Sequence, residues 1–539
     1  MKTLRFPLLS LRTSLTILLL TASAGIAAAQ WSVDPQHTLV IGDGPEGQYQ
    51  PKIATTPDGG CYISWHDDSP GGADMYMQRL DALGYEQWPH NGLLVADLTM
   101  TSYQNYGLAT DVAGNALLAC CDKIMGIEQI RVCKVTLAGE LPWGPKGVQV
   151  SHANGEYLSG ARVAATTDGG CVVGWSTDAF DKGVYVDLQK LDSNGVPQWG
   201  PNGIRLTDED AWWLMISFIQ PAEDGGTIVS WIRQSTTTCG RHLWTQKFSA
   251  TGAAMWNPNH VPVFDGGLMQ NGSFPEFVVD DAGGAVFGWY YFTDDGLRTC
   301  AVQHIHADGS EAFPHNGVLG TTELINCEEP SVAYHPATDE IFLFWEEQRP
   351  TQPGLYSLRG QKFTNEGTRA WTEAGREIVP PSTSRKFNSL ALDLHGDALL
   401  QYEDGLTSGG TGPFTTRVNE TGATVWNPAC TLTGITGGWR MDSTLNIYGS
   451  ALLAWTNGAK IYAQNVNPDG SLGQYPGDTD GNCQVDIRDL ATLLGAYGKS
   501  TGEPGFVPGA DFDHDGVIDL SDLATVLGNY GTLLQSPEH

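Results

Sequence analysis

The stretch Gln246-Lys247-Phe248-Ser249-Ala250-Thr251-Gly252-Ala253-Ala254-Met255-Trp256 decides the fold, because the same pattern returns along the whole chain. Gln78-Arg79-Leu80 leads to Trp88, Gln189-Lys190-Leu191 to Trp199 and Gln361-Lys362-Phe363 to Trp371, and weaker copies lead to Trp143, Phe313 and Trp426. With Trp31 at the start, the marker aromatics recur at intervals of 55 to 58 residues, which identifies a repeat architecture. A second marker is an Asp-Gly-Gly type of turn followed by an alternating apolar strand. It ends at Trp65, Trp175, Trp231, Trp289, Trp345 and Trp455, with Cys120 and Tyr402 at the two remaining places. Both markers count eight copies.

Each copy reads as four short strands. In the first these are Pro51 to Thr56, Cys61 to Trp65, Met75 to Leu80 and Leu93 to Val95, with Asp58-Gly59-Gly60 turning between the first two. Four strands per repeat of this length predict a β-propeller blade. The last copy breaks off after Gln464 without its Trp and final strand, whereas the chain supplies an orphan Trp31 and the strand-like Thr38 to Ile41 near its start. Pairing the two fragments would close a ring and remove two open sheet edges. The predicted fold is therefore mainly β: an eight-bladed propeller over residues 30–473, its last blade completed by the N-terminal strand.

Composition agrees. The 66 Gly and 29 Pro suit many strands and turns, and 41% apolar residues supply a large core. A net charge of −32, with no cationic cluster beyond the first dozen residues, excludes a nucleic-acid partner. Residues 1–29 carry Lys2, Arg5 and Arg12, then the run Leu15 to Leu20, then Ala27-Ala28-Ala29. They read as a secretory signal peptide, so the expected protein is secreted, with no membrane span. The ten Cys are irregularly spaced and form no CxxC, and Cys61 and Cys171 read as small buried strand residues.

A Trp repeated at the same place in every copy reads as blade packing with its indole N–H paired, rather than as a sugar-stacking platform. Ligand contacts belong where the copies differ. Just after the second-strand aromatic come His66, Asp67, Asp122, Arg233, Tyr290, Glu346 and Glu403, expected on one common rim of the ring as a ligand surface. Lys52, Arg162 and Glu276 share a first-strand position expected near the central channel. Glu346 and Glu403 are the carboxylates that a glycoside-cleaving alternative would use; no serine elbow, HExxH or phosphate loop is present.

Composition changes after Gly473. Asp478-x-Asp480-x-Asn482, with Gln484, Asp486 and Asp489, is repeated as Asp511-x-Asp513-x-Asp515, with Val517, Asp519 and Asp522. These are positions 1, 3, 5, 7, 9 and 12 of a calcium loop, where position 7 gives its backbone carbonyl and position 9 holds a water. Gly516 supplies the turn at position 6 of the second loop. Cys483 stands there in the first, so the first Ca²⁺ site is expected to be weaker. Each loop runs into an apolar helical stripe, Leu490, Leu493, Leu494 and Tyr497, then Leu523, Val526, Leu527 and Tyr530, ended by Gly498 and Gly531.

Over residues 476–532 this duplicated loop and helix resembles a type I dockerin. It departs from the family's small hydroxyl pair at Ile487-Arg488 and Leu520-Ser521. The resemblance implies a calcium-folded plug for a cohesin-like partner in polysaccharide degradation. The expected organisation is a signal peptide (1–29), propeller (30–473), linker (474–477), dockerin-like domain (478–532) and tail (533–539). The leading functional expectation is a binding or scaffold protein whose rim takes a glycan or protein ligand. The alternative is a polysaccharide-active glycoside hydrolase or lyase with its site on the rim. Metal removal is expected to unfold residues 476–532 and leave the propeller unmoved.

Overall fold

The computed structural model describes residues 30–534, apart from 69–70, 100–103, 153–154, 223, 236–239, 257–259, 384, 395, 405–411, 427–430 and 434–438. The expected signal peptide and most of the tail lie outside the described residues.

Among the described residues the strands fall into eight antiparallel groups. The first is Gln48–Thr55, Cys61–Asp67, Asp74–Leu80 and Leu93–Ala96, each paired with the next. The expected strands are thus right in place and differ by one to three residues at their ends, mostly by being short. The third and fourth groups are joined by a single parallel pairing, Val184 with Trp213. In the fifth, two short strands, Leu268–Met269 and Phe277–Val279, share the edge of Ala285–Phe292. The eighth is composite: Leu39–Gly42 pairs antiparallel with Lys460–Val466, setting Leu39 opposite Ala463 and Val40 opposite Tyr462.

The first strand of every group packs on the first strand of the next, and that of the eighth, Trp439–Leu445, packs on Gln48–Thr55 of the first. Between neighbouring groups lie the apolar layers of the core. The closing layer joins Trp31, Leu39 and Ile41 to Ile63 and Trp65 on one side and to Leu452 and Ile461 on the other. Burying aromatic and branched side chains on this scale contributes on the order of 1.5–3 kcal/mol for each, and every layer repeats it.

The repeated motif is absorbed by these contacts. In five copies the glutamine folds onto the turn that follows, as where Gln189 accepts from Lys190 N (3.0 Å) and Trp199 N (3.1 Å) and donates to the Gly200 carbonyl (2.9 Å). Most marker Trp residues, though not Trp88, then donate the indole N–H to a turn of the next copy, Trp199 to Ala250 O (3.2 Å), Trp256 to Ala307 O (2.9 Å) and Trp371 to Glu420 O (2.8 Å). In the last copy Gln464 donates to the Ser32 carbonyl (2.8 Å), and Trp31 donates to Ala82 O (2.9 Å) in the first. The N-terminal segment therefore stands where the missing end of the last copy would. The second-strand indoles differ from expectation: Trp65, Trp175, Trp289, Trp345 and Trp455 are buried and their N–H groups have no hydrogen-bond partner among the described residues. Their ring faces, not their N–H groups, hold the layers.

The C-terminal residues form two helices, α1 (Ile487–Ala496) and α2 (Leu520–Asn529), around Val485, Leu493, Ala496, Ile518 and Val526. Only part of each predicted stripe is covered: Leu494, Tyr497, Leu527 and Tyr530 are exposed, because each helix is packed on one side only. Residues 474–477, expected as a linker, take part in packing, since Tyr475 joins this small core and Gln474 donates to the Gly509 carbonyl (2.7 Å). Every Cys among the described residues is free and buried. No described helix is long and apolar enough to cross a membrane.

Candidate functional site

The first strands of all eight groups line one cavity of 890 Å³. In four of them an irregularity precedes the channel position: Gln50, Gly160, Glu329 and Arg440 have φ of 55°, 68°, 49° and 60°, and the strand register shifts there. An extra residue at such a bulge re-aims the next side chain. Two residues on, Lys52, Arg162, Ser331 and Asp442 face Ser64, Gly174, Phe344 and Ala454 of their second strands. Glu276 holds the same place in the fifth group, immediately before Phe277–Phe287, the counterpart of Ile53–Ile63, and Gly107, Phe218 and Leu390 occupy the matching places in the other groups. This shared position lines the channel in every group, and two cations and two carboxylates stand there.

Their surroundings differ. Arg162 donates through Nε to the Ser217 carbonyl (3.1 Å) of the next group. Asp442 accepts from the backbone N–H of Ile53 (3.0 Å) and of Ser443 (3.0 Å). Lys52 Nζ lies 5.9 Å from the centre of the Tyr106 ring, within cation–π range. The Glu276 side chain is open to the channel, yet strands surround it on all sides. That enclosure raises its pKa above the ordinary carboxylate value and outweighs the pull of Lys52 and Arg162, with the charge of Asp442 adding to the rise. Phe218 and Phe274, both half-buried, line the same cavity. Such a site offers donors, acceptors and flat apolar faces together. Lys52, Arg162 and Glu276 were legible in the sequence. Asp442 was missed, although it stands as far before Trp455 as Lys52 does before Trp65.

The seven rim residues are buried or nearly so, and most are bonded within the protein. His66 contacts the carbonyls of Ala73 (3.3 Å) and Gln104 (3.0 Å), and burial lowers its pKa. Asp67 accepts from Gln48 Nε2 (3.0 Å), and Asp122 accepts from Thr99 N (3.0 Å) and Lys123 N (2.7 Å). Arg233 is paired with Asp208 (2.6 Å) and lies over Trp244. Glu346 is held by Arg385 at 2.9 and 2.5 Å. Burial pushes the Tyr290 hydroxyl up to about 12, and Glu403 is buried as well. The second strand is interior to its sheet, so its end stays covered by neighbours instead of emerging on an open edge.

At the C-terminus Asp478, Asp480 and Asp489 bring carboxylate oxygens within 4.8 Å of one another, and Asp511, Asp513 and Asp522 do the same. These are positions 1, 3 and 12 of the two loops. Asp486 and Asp519 serve as helix caps, accepting from Arg488 N (2.6 Å) and Ser521 N (2.7 Å), while Asn482 and Asp515 accept from Gln484 N and Val517 N (both 2.8 Å). Gln484 and Val517, the carbonyl positions, form isolated bridges with Leu533 and Ser500. The donor set fits a hard cation, which is bound through oxygen. Asp511 is 6% exposed and its Oδ1 has no partner among the described residues, an arrangement a cation satisfies. Burial, with the charges of Asp480 and Asp489, pushes Asp478 up to about 7.

No family model matches the chain, and neither does any curated protein. Solved structures do match in part. An ulvan lyase of a new polysaccharide lyase family is 11% identical over 80% of this chain and 95% of its own, with a TM-score of 0.40. An α-L-arabinanase of Penicillium chrysogenum is 12% identical over 55% and 89%, TM-score 0.33. An α-L-arabinofuranosidase of Lactobacillus brevis is 12% identical over 47% and 91%, TM-score 0.30. Likenesses at these scores assign neither a family nor an activity to this chain.

Proposed function

We propose that the chain is an exported, carbohydrate-active eight-bladed propeller that takes an acidic glycan in its central channel. The observation that carries this reading is the convergence of Lys52, Arg162, Glu276 and Asp442 on one solvent-filled channel from a shared strand position. A sugar ring presents hydroxyls to carboxylates and an apolar face to aromatics, and a uronate or sulfate group pairs with guanidinium and ammonium. The closed circuit of first-strand contacts and the composite eighth group support the ring. The buried, internally bonded rim residues favour the channel over the rim as the ligand site.

Glycan cleavage is the second reading, favoured by the two carboxylates, Glu276 and Asp442, that share one channel with Glu276 raised above the ordinary value, a pairing suited to acid and base roles. The C-terminal loops are read as two Ca²⁺ sites of a dockerin-like plug for a cohesin-like partner. Asp478, Asp480, Asp489 and their counterparts Asp511, Asp513 and Asp522 would hold the ions, and calcium would supply folding energy rather than chemistry.

A glycan panel scored for both retention and product release tests the proposal. The expected result is retention of uronate- or sulfate-bearing chains, weakened about tenfold or more in Arg162→Gln, the cost of one charge-assisted bond. Release of oligosaccharides abolished by Glu276→Gln establishes cleavage. Retention unaffected by Arg162→Gln and Lys52→Met together sinks the channel site.

A further inference from the structure

We infer that the first calcium loop is a structural metal site of the ring itself, clamping the seam where the N-terminal segment completes the last sheet; this rests on the Ca²⁺ reading above. The two loops are duplicates in sequence but not in surroundings. In the second, Gly516 has φ of 87° and its neighbour is Thr501 of the same module. In the first, Cys483 takes the same left-handed turn at φ of 62°, is 3% exposed, and sets its Sγ 3.2 Å from the Ser450 hydroxyl of the eighth group. Gly481 lies so close to Ala82 that an added Cβ would come within 2.9 Å of it.

Ala82 and Leu83 are the residues that hold the N-terminus. Their carbonyls accept from the indole (2.9 Å) and the backbone N–H (3.1 Å) of Trp31. The turn of the first loop and Trp31 therefore meet the same two residues. Gln474, which donates to the carbonyls of Asp478 and Gly509, also receives Gln30. Lifting Trp31 to Ile41 out of the ring requires moving this loop. Without a cation the converging carboxylates of Asp478, Asp480 and Asp489 repel one another, and the turn that seats Cys483 and Gly481 is loosened.

The test uses the full chain, with Ca²⁺ as the probe. Binding is counted by calorimetry, the sheet melting transition is followed by tryptophan fluorescence, and amide exchange is read over residues 30–41. Asp480→Asn is expected to lower the sheet transition in Ca²⁺ by about 2 °C or more and to speed exchange at 39–41, whereas the matching Asp513→Asn moves neither. Cys483→Gly keeps the turn and the metal but deletes the contact with Ser450. It is expected to bind Ca²⁺ at both sites while losing most of the Ca²⁺-dependent rise in the sheet transition. Two-site binding with a sheet transition indifferent to Ca²⁺, or equal effects of Asp480→Asn and Asp513→Asn, overturns the clamp. Absence of Ca²⁺ binding overturns it together with the metal reading.

Discussion

Gln246 accepts hydrogen bonds from Lys247 N (2.8 Å) and Trp256 N (3.0 Å) and returns one to the Trp256 carbonyl (3.2 Å), so one buried amide closes the turn of its repeat. Gln246→Ala leaves two backbone N–H groups and a carbonyl without partners. Unpaired buried polar groups cost about 1–3 kcal/mol each; the expected loss, about 2–4 kcal/mol in denaturant unfolding, exceeds that of an exposed substitution. This role was not legible, because the glutamine could be recognised as recurrent without a reason for its recurrence. A second residue-scale device is His315, set between Glu311 (3.0 Å) and Asp265 (2.9 Å). The Glu311 hydrogen bond, against some burial and with help from Asp265, raises its pKa above 6.5. Its stabilisation is therefore complete below the unfolded pKa and is lost as pH rises through the higher folded value. His315→Gln is expected to flatten the fall in melting temperature above pH 6.5, and an unchanged pH profile refutes this assignment.

Between strands and turns the basic member of the repeat finds its use. Lys247 bonds Asp224 of its own hairpin turn (2.8 Å) and the Gly283 carbonyl of the next group (2.8 Å). Lys134, Lys190, His304, Lys362 and Arg417 pair likewise with Asp111, Asp168, Asp280, Glu340 and Asp397. A fully buried pair would cost 3–5 kcal/mol to break, but Asp224 is 45% exposed and water can take over its charge. Lys247→Met is therefore expected to cost only about 1–2 kcal/mol by chemical denaturation. The helices teach the converse: Leu493 and Leu494 have the same spacing logic, yet one is buried and the other exposed. Periodicity gives a face, and only the neighbour decides how much of that face is covered.

For the molecule as a whole, the circular contact order makes the N-terminal segment indispensable. Removing residues 30–42 uncovers Ile461, Ala463 and Trp65, which are buried in the closing layer. The truncated chain is expected to lose its cooperative melting transition and to recover it on addition of a 30–42 peptide; a truncated protein that melts like the intact one contradicts this. That closure was legible because repeats can be counted. The seating of the first acidic loop was not, since Gly481 and Cys483 meet Ala82 and Ser450 without any pattern in either partner, and Cys483 read from sequence looked only like a strained turn. The burial of the rim residues was not legible for a related reason: Arg385 and Gln48, which engage Glu346 and Asp67, come from distant parts of the chain.

At the channel position the same side chains that face the opening also tie one sheet to the next: Arg162 bonds the Ser217 carbonyl and Asp442 the Ile53 N–H of the following group. A library randomised there is therefore expected to vary in robustness as well as in what the opening admits.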